Sequence, residues 1–581
     1  MNTLQITMYV LSEKTLPSID KFYSKLNDTS CSIIDYEKAQ KVWTTFNCQT
    51  LKDYHNLYLT ADVLLLSDIW ENFRTVCYRI YNLDACYYYT APSLSWDAWL
   101  YHSNLESKKN NGKKFEIELI TDIDMYLFVE QNIRGGLSQI SKRYAKANNK
   151  YMKNYDMNKI DEYILYLDAN NLYGYGMSQY LPQGGFKWNE KTWSDKKILN
   201  IPDDAKVGYM FEVDLHYPEE LHNLHNGYAL APVNMAIKNS QLNDWQQEDR
   251  KENKITKLCT SFEDKIKYGV NYRLLKLYIQ LGVKVTKIHR VLQFKQSDYM
   301  KSYIMKNTNE RAQAKNDFEK DFYKLMNNSV YGKTMENVRG RINFKFVSTE
   351  QQALNIRNRR TRHTIFNEDL VGVHLLKKEV KLNKPIFIGQ CVLDNSKYLM
   401  YDFHYNFMLK NFKRENIDLL FTDTDSLCYH IKNQNPYELM GQNKEYFYLS
   451  DYAKDHQLHD NTNKKVIGKF KDECSGKQII EFVGLRSKLY SYLTDEDKKF
   501  DHKKCKGCKK GVVDKVLSFQ NYKNTLFQRT PENIKQNVFR SYKHKIYTEE
   551  VTKVALSCFD DKCYIQDDNI NTYTFGHKNI V

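Results

Sequence analysis

The segment IDLLFTDTDSLCYHI sets Asp423 and Asp425 two residues apart, between the apolar runs Leu419-Leu420-Phe421 and Leu427-Cys428-Tyr429. This pattern predicts a β-hairpin with acids at its tip. Two like charges on one tight turn repel, and a divalent cation gives them a reason to persist. Mg2+ takes one or two carboxylates and completes its shell with waters and phosphate oxygens. A further carboxylate, Asp168, ends the apolar and aromatic run Ile164-Leu165-Tyr166-Leu167 in YILYLDANNLYGYGM. A buried strand would hold it rigidly at a cleft, although by itself it also reads as a turn residue beside Asn170 and Asn171. Lys320 and Lys324 are four apart in NERAQAKNDFEKDFYKLMNNSVYGKTMEN and share one helix face, where they could meet a triphosphate. Alone, they read equally as a solvated lysine face.

The elements that must position these groups are legible in outline. The lysine segment has no Gly or Pro before Gly332 and predicts a helix to about Met326, with Phe318, Phe322 and Leu325 on its packing side. Leu64, Leu65, Ile69 and Phe73 recur at helical spacing in TADVLLLSDIWENF. A charged stretch, SKKNNGKKFE, reads as a surface loop. After it comes QNIRGGLSQISKRYAKANNKYMKNY, in which Gly135 and Gly136 allow close backbone approach. Arg134, Lys142, Arg143, Lys146 and Lys150 nearby could meet phosphates. The plainer reading of that stretch is a solvated loop.

The chain has 581 residues, a prior of roughly four domains. Hydrophobic residues are 42% and Pro only 9, which excludes wholesale disorder and collagen-like sequence. Lys and Arg number 86 against 71 Asp and Glu, a net +15 that favours a polyanionic partner such as nucleic acid. Abundant Lys, Asn, Tyr and Ile would equally follow from AT-rich coding. No apolar run approaches a membrane span, and MNTLQITMYVLSEK lacks the pattern of a secretory signal. Twelve mostly scattered cysteines fit a reducing compartment. The expectation is an intracellular protein without a membrane partner.

In order along the chain, an acid-ended strand, a basic helix closing on Asn-Ser-x-Tyr-Gly and an Asp-Thr-Asp hairpin match motifs A, B and C of family B DNA polymerases. The chain resembles the protein-primed branch of that family, and within it the polymerases of viral and organellar elements and of Polinton (Maverick) transposons. YLDANNLYGYGMSQYLPQGGFKW, NDFEKDFYKLMNNSVYGKTMENVR, FTDTDSL, GLRSKLYSY and SCFDDKCYIQDDNINTYTFGH carry the likeness over essentially the whole chain. It implies an α+β right-hand polymerase with an antiparallel palm, helical fingers and a thumb, preceded by a partial RNase H-like exonuclease domain. The implied divisions are 1–125 (truncated exonuclease), 126–185 (palm, motif A), 186–300 (first insertion, resembling a terminal-protein region), 301–340 (fingers, motif B), 341–385 (second insertion), 386–500 (palm, motif C) and 501–581 (thumb). In relatives of this branch the insertions embrace the priming protein and encircle DNA.

The resemblance assigns roles residue by residue. Asp168 and Asp425 would hold two Mg2+ ions, with Asp423 supporting the turn. Tyr173 would lie beneath the incoming sugar, followed by Gly174 where the family usually has Pro. Lys324 would bind the triphosphate, while Asn328, Tyr331 and Gly332 would surround the nascent base pair. Arg311 and Lys315 fit an Arg-x-x-x-Lys element on the first fingers helix, with Lys306 a competing alignment. Lys488 and Tyr490 match the Lys-x-Tyr element that holds the primer strand. Arg134, Gly135 and Gly136 match a template-contacting Tyr-x-Gly-Gly element whose tyrosine is here Ile133. Tyr58 and Asp62 match the third exonuclease motif. The two acidic motifs that normally precede it are not matched in the 57 residues upstream, so no proofreading is expected.

The implied activity is DNA-directed DNA synthesis from dNTPs on a primer-template, for replication of a mobile or viral-like element, at a nuclear or a viral or organellar site. A monomer is expected, and a terminal priming protein is among the partners the branch implies. The rival reading is a non-catalytic DNA-binding relic. Two decoys are set aside. Asp214, in VDLHYP, resembles a second motif A but falls inside the first insertion. Cys505 and Cys508, with His502, Cys558 and Cys563, do not make a distinctive zinc pattern.

Overall fold

The computed structural model describes residues 10–249, 255–357, 360–495, 501–542 and 545–580. The chain opens with helices α1 (Ile33–Thr45), α2 (Leu51–Tyr81), α3 (Ala91–Asn111) and α4 (Ile123–Gln131). A capping box in which Thr50 and Asp53 satisfy each other's backbone amides starts α2. The helix expected around Leu64 is therefore present. Its apolar stripe is not buried, however: Leu64, Leu65 and Ile69 are all about 60% exposed. Only the far end of α2 enters a core, where Phe73 packs edge-on to Phe322 and Tyr81 is buried.

The centre of the molecule is a five-stranded antiparallel sheet. Its strands are β1 (Ser138–Ile140), β3 (Glu162–Ala169), β11 (Ile417–Asp423), β12 (Ser426–Lys432) and β13 (Phe470–Asp472), in the order β1-β11-β12-β3-β13. The two-residue period of β3 divides its side chains between two cores. Tyr163, Leu165, Leu167 and Ala169 face a large core, whereas Ile164 and Tyr166 face a smaller one with Phe421, Phe482 and Tyr490. The smaller core lies under a second sheet, order β16-β15-β14-β2. That sheet comprises β2 (Tyr144–Lys146), β14 (Ile479–Arg486), β15 (Leu489–Thr494) and β16 (His502–Cys505).

Behind motif A come the short helix α5 (Leu172–Met177) and a third antiparallel sheet, order β4-β7-β5-β6. It is formed by β4 (Leu181–Trp188), β5 (Val207–His216), β6 (Lys265–Asn271) and β7 (Lys284–Ser297), with α6 (Tyr272–Gln280) between the last two. Phe211, Val270 and Tyr272 from this region share one core with Leu165, Leu167 and Tyr429, so the stretch is packed onto the central sheet. Asp214 is occupied structurally: it accepts from the Lys267 amide at 2.8 Å and pairs with His289 at 2.7 Å.

Helices α7 (Lys301–Gln313) and α8 (Asp317–Thr334) follow. The single helix expected here is broken at Ala314–Asn316, because the Asn316 side chain accepts from the Glu319 amide and restarts the helix as its N-cap. Helix α8 continues past Gly332. Its buried stripe is Phe322, Met326 and Val330, whereas Phe318 and Leu325, expected on the packing side, are 61% and 44% exposed. A three-stranded sheet, β8 (Asn343–Val347), β9 (Arg360–Asn367) and β10 (Leu370–Leu375), precedes the buried helix α9 (Ile386–Asp402). The last large elements are α10 (Phe519–Gln528) and the hairpin β17 (Glu532–Tyr542) with β18 (Lys545–Leu556).

Residues 557–580, grouped by sequence with the C-terminal unit, return to the middle of the chain. Thr572 and Thr574 bond Asn226, and Gln246 donates to the Asp560 and Cys563 carbonyls. The structure thus bears out the α+β expectation. Among the described residues no helix is long and apolar enough to cross a membrane.

Candidate active site

The hairpin predicted at Asp423-Thr424-Asp425 joins β11 to β12. Thr424 takes a left-handed backbone (φ 67°) and its amide donates to the Leu137 carbonyl at 2.8 Å, while the Asp425 amide donates to the Asp423 carbonyl. Ser426 lies opposite Asp168 in the adjacent strand, and the Ala169 amide donates to the Asp425 carbonyl at 2.7 Å. The ends of two neighbouring strands therefore bring Asp168 and Asp425 together. Burial, reinforced by Asp425 and Glu473, pushes the Asp168 carboxyl up to about 8 against the pull of Lys471 and Lys324. Asp425 is raised as well, mainly by burial, with Asp423 and Glu473 adding to it.

Two half-buried carboxyls that repel each other are hard oxygen donors, and the pair fits a divalent cation of the Mg2+ type. Glu473 adds negative charge to the surroundings, although among the described residues no three acidic or ligating side chains converge as a metal site. Glu473 pairs with Lys471 at 2.5 Å, and Lys471 is both the cross-strand neighbour of Asp168 and 3.9 Å from its carboxylate. Neither Lys471 nor Glu473 was picked out by sequence. Their segment, FKDE, is a short strand without alternation, and only pairing with β3 brings it to the acids.

Tyr173, expected beneath the incoming sugar, and Tyr331, expected beside the nascent base pair, stack with ring centroids 4.3 Å apart and planes at 16°. Tyr173 is set by α5, whose N-cap Asn171 (φ 49°) accepts from the Gly174 amide at 3.3 Å. A Cβ on Gly174 would come within 2.3 Å of the Asn171 amide nitrogen. Glycine in place of the family's Pro is thus matched to this cap, because Pro has no N–H to donate. On α8, exposed Lys324 supplies positive charge that partly offsets the rise of the Asp168 and Asp425 carboxyls. Lys320 is held by Asp317 at 2.9 Å. Asn328 Oδ1 is buried without a hydrogen-bond partner among the described residues, and Gly332 faces open space.

Of the three competing basic residues, Lys306 is turned away: it donates to the Ile80 carbonyl at 2.6 Å and lies over the Tyr81 ring. Lys315 is exposed, and Arg311 is half-buried with its Nε lacking a partner among the described residues.

Lys488, on the β14–β15 turn with φ 61°, pairs with Asp423 at 2.8 Å. Tyr490, expected at the primer strand, is instead only 3% exposed; its ring stacks on Phe421 and its hydroxyl meets that of Tyr166 at 3.2 Å. The alternation of β15 turns it inward, and it supports the sheet that carries Lys488.

Arg134, expected on DNA, is likewise committed internally. Its guanidinium donates to the Gly269 carbonyl at 2.8 Å and to Asn132, and lies 3.7 Å above the Tyr268 ring. Arg143 is fully buried and donates to the Asn569, Leu485 and Cys558 carbonyls. Lys142 pairs with Asp418 and Lys150 with Glu438, so of that basic stretch Lys146 and Lys153 are the residues both exposed and without an ion-pair partner among the described residues. Gly135 faces open space. A Cβ on Gly136 would meet Thr424 side-chain atoms at 2.4 Å, so what approaches that glycine closely is the hairpin tip itself. Tyr58 (60% exposed) and Asp62 lie on the solvent side of α2.

The sequence profile described as DNA polymerase type B, organellar and viral, matches residues 1–408. A DNA polymerase of Kluyveromyces lactis is 21% identical over 425 residues, which are 70% of this chain and 35% of that protein. The chain thus spans about a third of the length of the curated relative it matches. Among solved structures, Phi29 DNA polymerase complexed with primer-template DNA and incoming nucleotide substrates is 16% identical, with a TM-score of 0.49, over 80% of this chain and 68% of that one. An orthorhombic crystal form of the same polymerase is 14% identical with a TM-score of 0.48, over the same shares.

Proposed function

The chain belongs to the organellar and viral type B DNA polymerases, and from that premise we propose that it copies a DNA template by adding deoxynucleoside triphosphates to a primer 3′-hydroxyl. The observation that carries this reading is the meeting of Asp168 and Asp425 at adjoining strand ends, opposite Lys324 and beside the Tyr173–Tyr331 stack.

In this reading Asp168 and Asp425 hold two Mg2+ ions. When bound, such a pair neutralises charge on the attacking and leaving oxygens of an in-line displacement. The protein's own part is positioning. Strands β3 and β12 fix the carboxylates, Lys324 and Arg311 engage the triphosphate, and the Tyr173–Tyr331 stack gives the incoming sugar and base a rigid wall. Lys488, now paired with Asp423, reaches the primer strand from the second sheet. The central sheet serves as palm, α7 and α8 as fingers, and the region from about 501 to 556 as thumb. The stretches 186–300 and 341–385 are the insertions, through which a priming protein would be engaged. We assign no 3′–5′ hydrolysis to the described residues, in which Tyr58 and Asp62 are the matched exonuclease positions and the paired acidic motifs are not matched; 3′-end digestion by wild type that is lost in Asp62→Ala would reverse that assignment. The intact acid and lysine set disfavours a non-catalytic relic.

The test is single-nucleotide addition on four primer-templates that differ only in the templating base. The reading predicts that the dNTP added follows the template base. Addition that ignores the template, or none from folded protein that binds the DNA, would contradict it.

A further inference from the structure

Arg311, Lys324 and Lys465 are among the cationic side chains of this region that have no carboxylate within ion-pair distance among the described residues. The first two were assigned to the triphosphate from sequence. Lys465 lies far from either in the chain, in the segment between β12 and β13, and no motif marks it. Its position is nevertheless fixed by motif A. Asn170, two residues after Asp168, donates from its side chain to the Val466 carbonyl at 2.9 Å and from its amide to the Lys469 carbonyl at 2.9 Å; its own carbonyl accepts from the Gly468 amide at 2.8 Å. Asn463 secures the other side of the segment through the Lys444 and Phe447 carbonyls. Thus tethered, Lys465 is half-buried and donates to the Arg311 carbonyl at 3.2 Å.

Two features set this lysine apart from an ordinary helix-end cation. Its backbone is left-handed (φ 57°), a conformation that a residue with a side chain keeps only where its surroundings impose it. It is also crowded by like charge. Burial, then Arg311, Lys320 and Lys464, lower its ammonium, with Asp451 the opposing carboxylate. A solvated lysine would turn away from such neighbours. Lys320 is already paired with Asp317, but Arg311, Lys464 and Lys465 have no carboxylate within ion-pair distance among the described residues, an arrangement that a polyanion relieves.

We propose that Lys465 is a third triphosphate-binding residue, acting with Arg311 and Lys324 to hold the phosphate tail of the incoming nucleotide between α7–α8 and the end of β3. This rests on the polymerase reading above. In the absence of nucleotide the ammonium caps the last turn of α7 through the Arg311 carbonyl, and on binding it transfers that hydrogen bond to a phosphate oxygen. The segment 461–469 therefore links arrival of the triphosphate to the seating of α7 over the acids.

The experiment is calorimetric titration of dTTP, with Ca2+ to prevent turnover, onto the protein bound to a primer-template whose next base is dA. Wild type is compared with Lys465→Ala, Lys465→Arg and the control Lys410→Ala, and steady-state extension is measured with Mg2+. Lys465→Ala is expected to weaken dTTP about tenfold and raise KM by a similar factor, with kcat within about threefold of wild type. Lys465→Arg is expected to stay within about threefold, and Lys410→Ala to match wild type. A Lys465→Ala protein that is less stable yet binds dTTP as wild type does would reduce Lys465 to a helix cap and overturn the inference, leaving the polymerase reading intact. Wild type that neither binds dTTP nor extends the primer would overturn both.

Discussion

Replacing Asp168 by asparagine should stabilise the metal-free protein while destroying the activity proposed for it. The Asp168 carboxyl is pushed from 3.8 to about 8, first by burial and then by Asp425 and Glu473. The folded chain therefore holds a proton there that the unfolded chain releases. The unfolded state binds fewer protons between pH 4 and 8, so this group lowers stability progressively as pH rises through that window, and the loss levels off above about 8. At pH 7 the gap from 3.8 amounts to roughly three units, or about 4 kcal/mol at 1.36 kcal/mol each. Asparagine keeps the shape, carries no charge at any pH and relieves Asp425 of a like-charged neighbour. The amide remains desolvated, so the net gain at pH 7 should fall at about 1–4 kcal/mol. The gain should be about 2 kcal/mol larger at pH 8 than at pH 6, because the penalty grows between those values. Urea unfolding with chelator present, followed by far-UV circular dichroism at both pH values, measures this. Destabilisation by Asp168→Asn at both, or a gain that does not change with pH, would refute the reasoning.

Two further outcomes follow from the same geometry. Binding of Mg2+ needs both carboxylates ionised, so at pH 7 it should release about one proton per protein, with affinity rising close to tenfold per unit between pH 6 and 8; calorimetry in two buffers of different ionisation enthalpy reads the proton count, and a count of zero would contradict the assignment of Asp168. Gly136→Ala should drive a methyl into Thr424, costing about 1–3 kcal/mol and most of the extension rate, and the pair Gly136→Ala with Thr424→Gly should recover much of both; failure of the second change to rescue would show that Gly136 acts elsewhere.

The strand ends that carry the acids were more legible in the sequence than what surrounds them. The hairpin of Asp423 and Asp425 could be read because apolar runs bracket it, and Asp168 because its strand stops abruptly. Tyr173 and Tyr331 were found by motif, and their stack then followed from the fold. What failed were statements about which way a side chain faces. Arg134, Arg143 and Tyr490 look like surface groups in a basic or strand-end context. The structure turns them inward because Tyr268, the Asn569 carbonyl and Phe421, each distant in sequence, supply partners for them. Leu64, Leu65 and Ile69 failed in the opposite sense: periodicity identifies the helix, but a stripe is buried only where another element covers it. Lys471, Glu473 and Lys465 carried no local signal, since cross-strand pairing with β3 and the Asn170 tether are contacts between segments about 300 residues apart. The break before α8 lies at Asn316, whose capping preference outweighs the strong helix formers around it.

The most direct measurement of the central claim is extension of a primed DNA template with Mg2+ and four dNTPs, wild type beside Asp425→Asn, each shown to be folded and to bind the primer-template. The account predicts extension by wild type and a loss of at least about a thousandfold in the variant, as expected when one of two metal-holding carboxylates is removed. Equal extension by both proteins would contradict the assignment of the site, and no extension by folded, DNA-bound wild type would contradict the function itself.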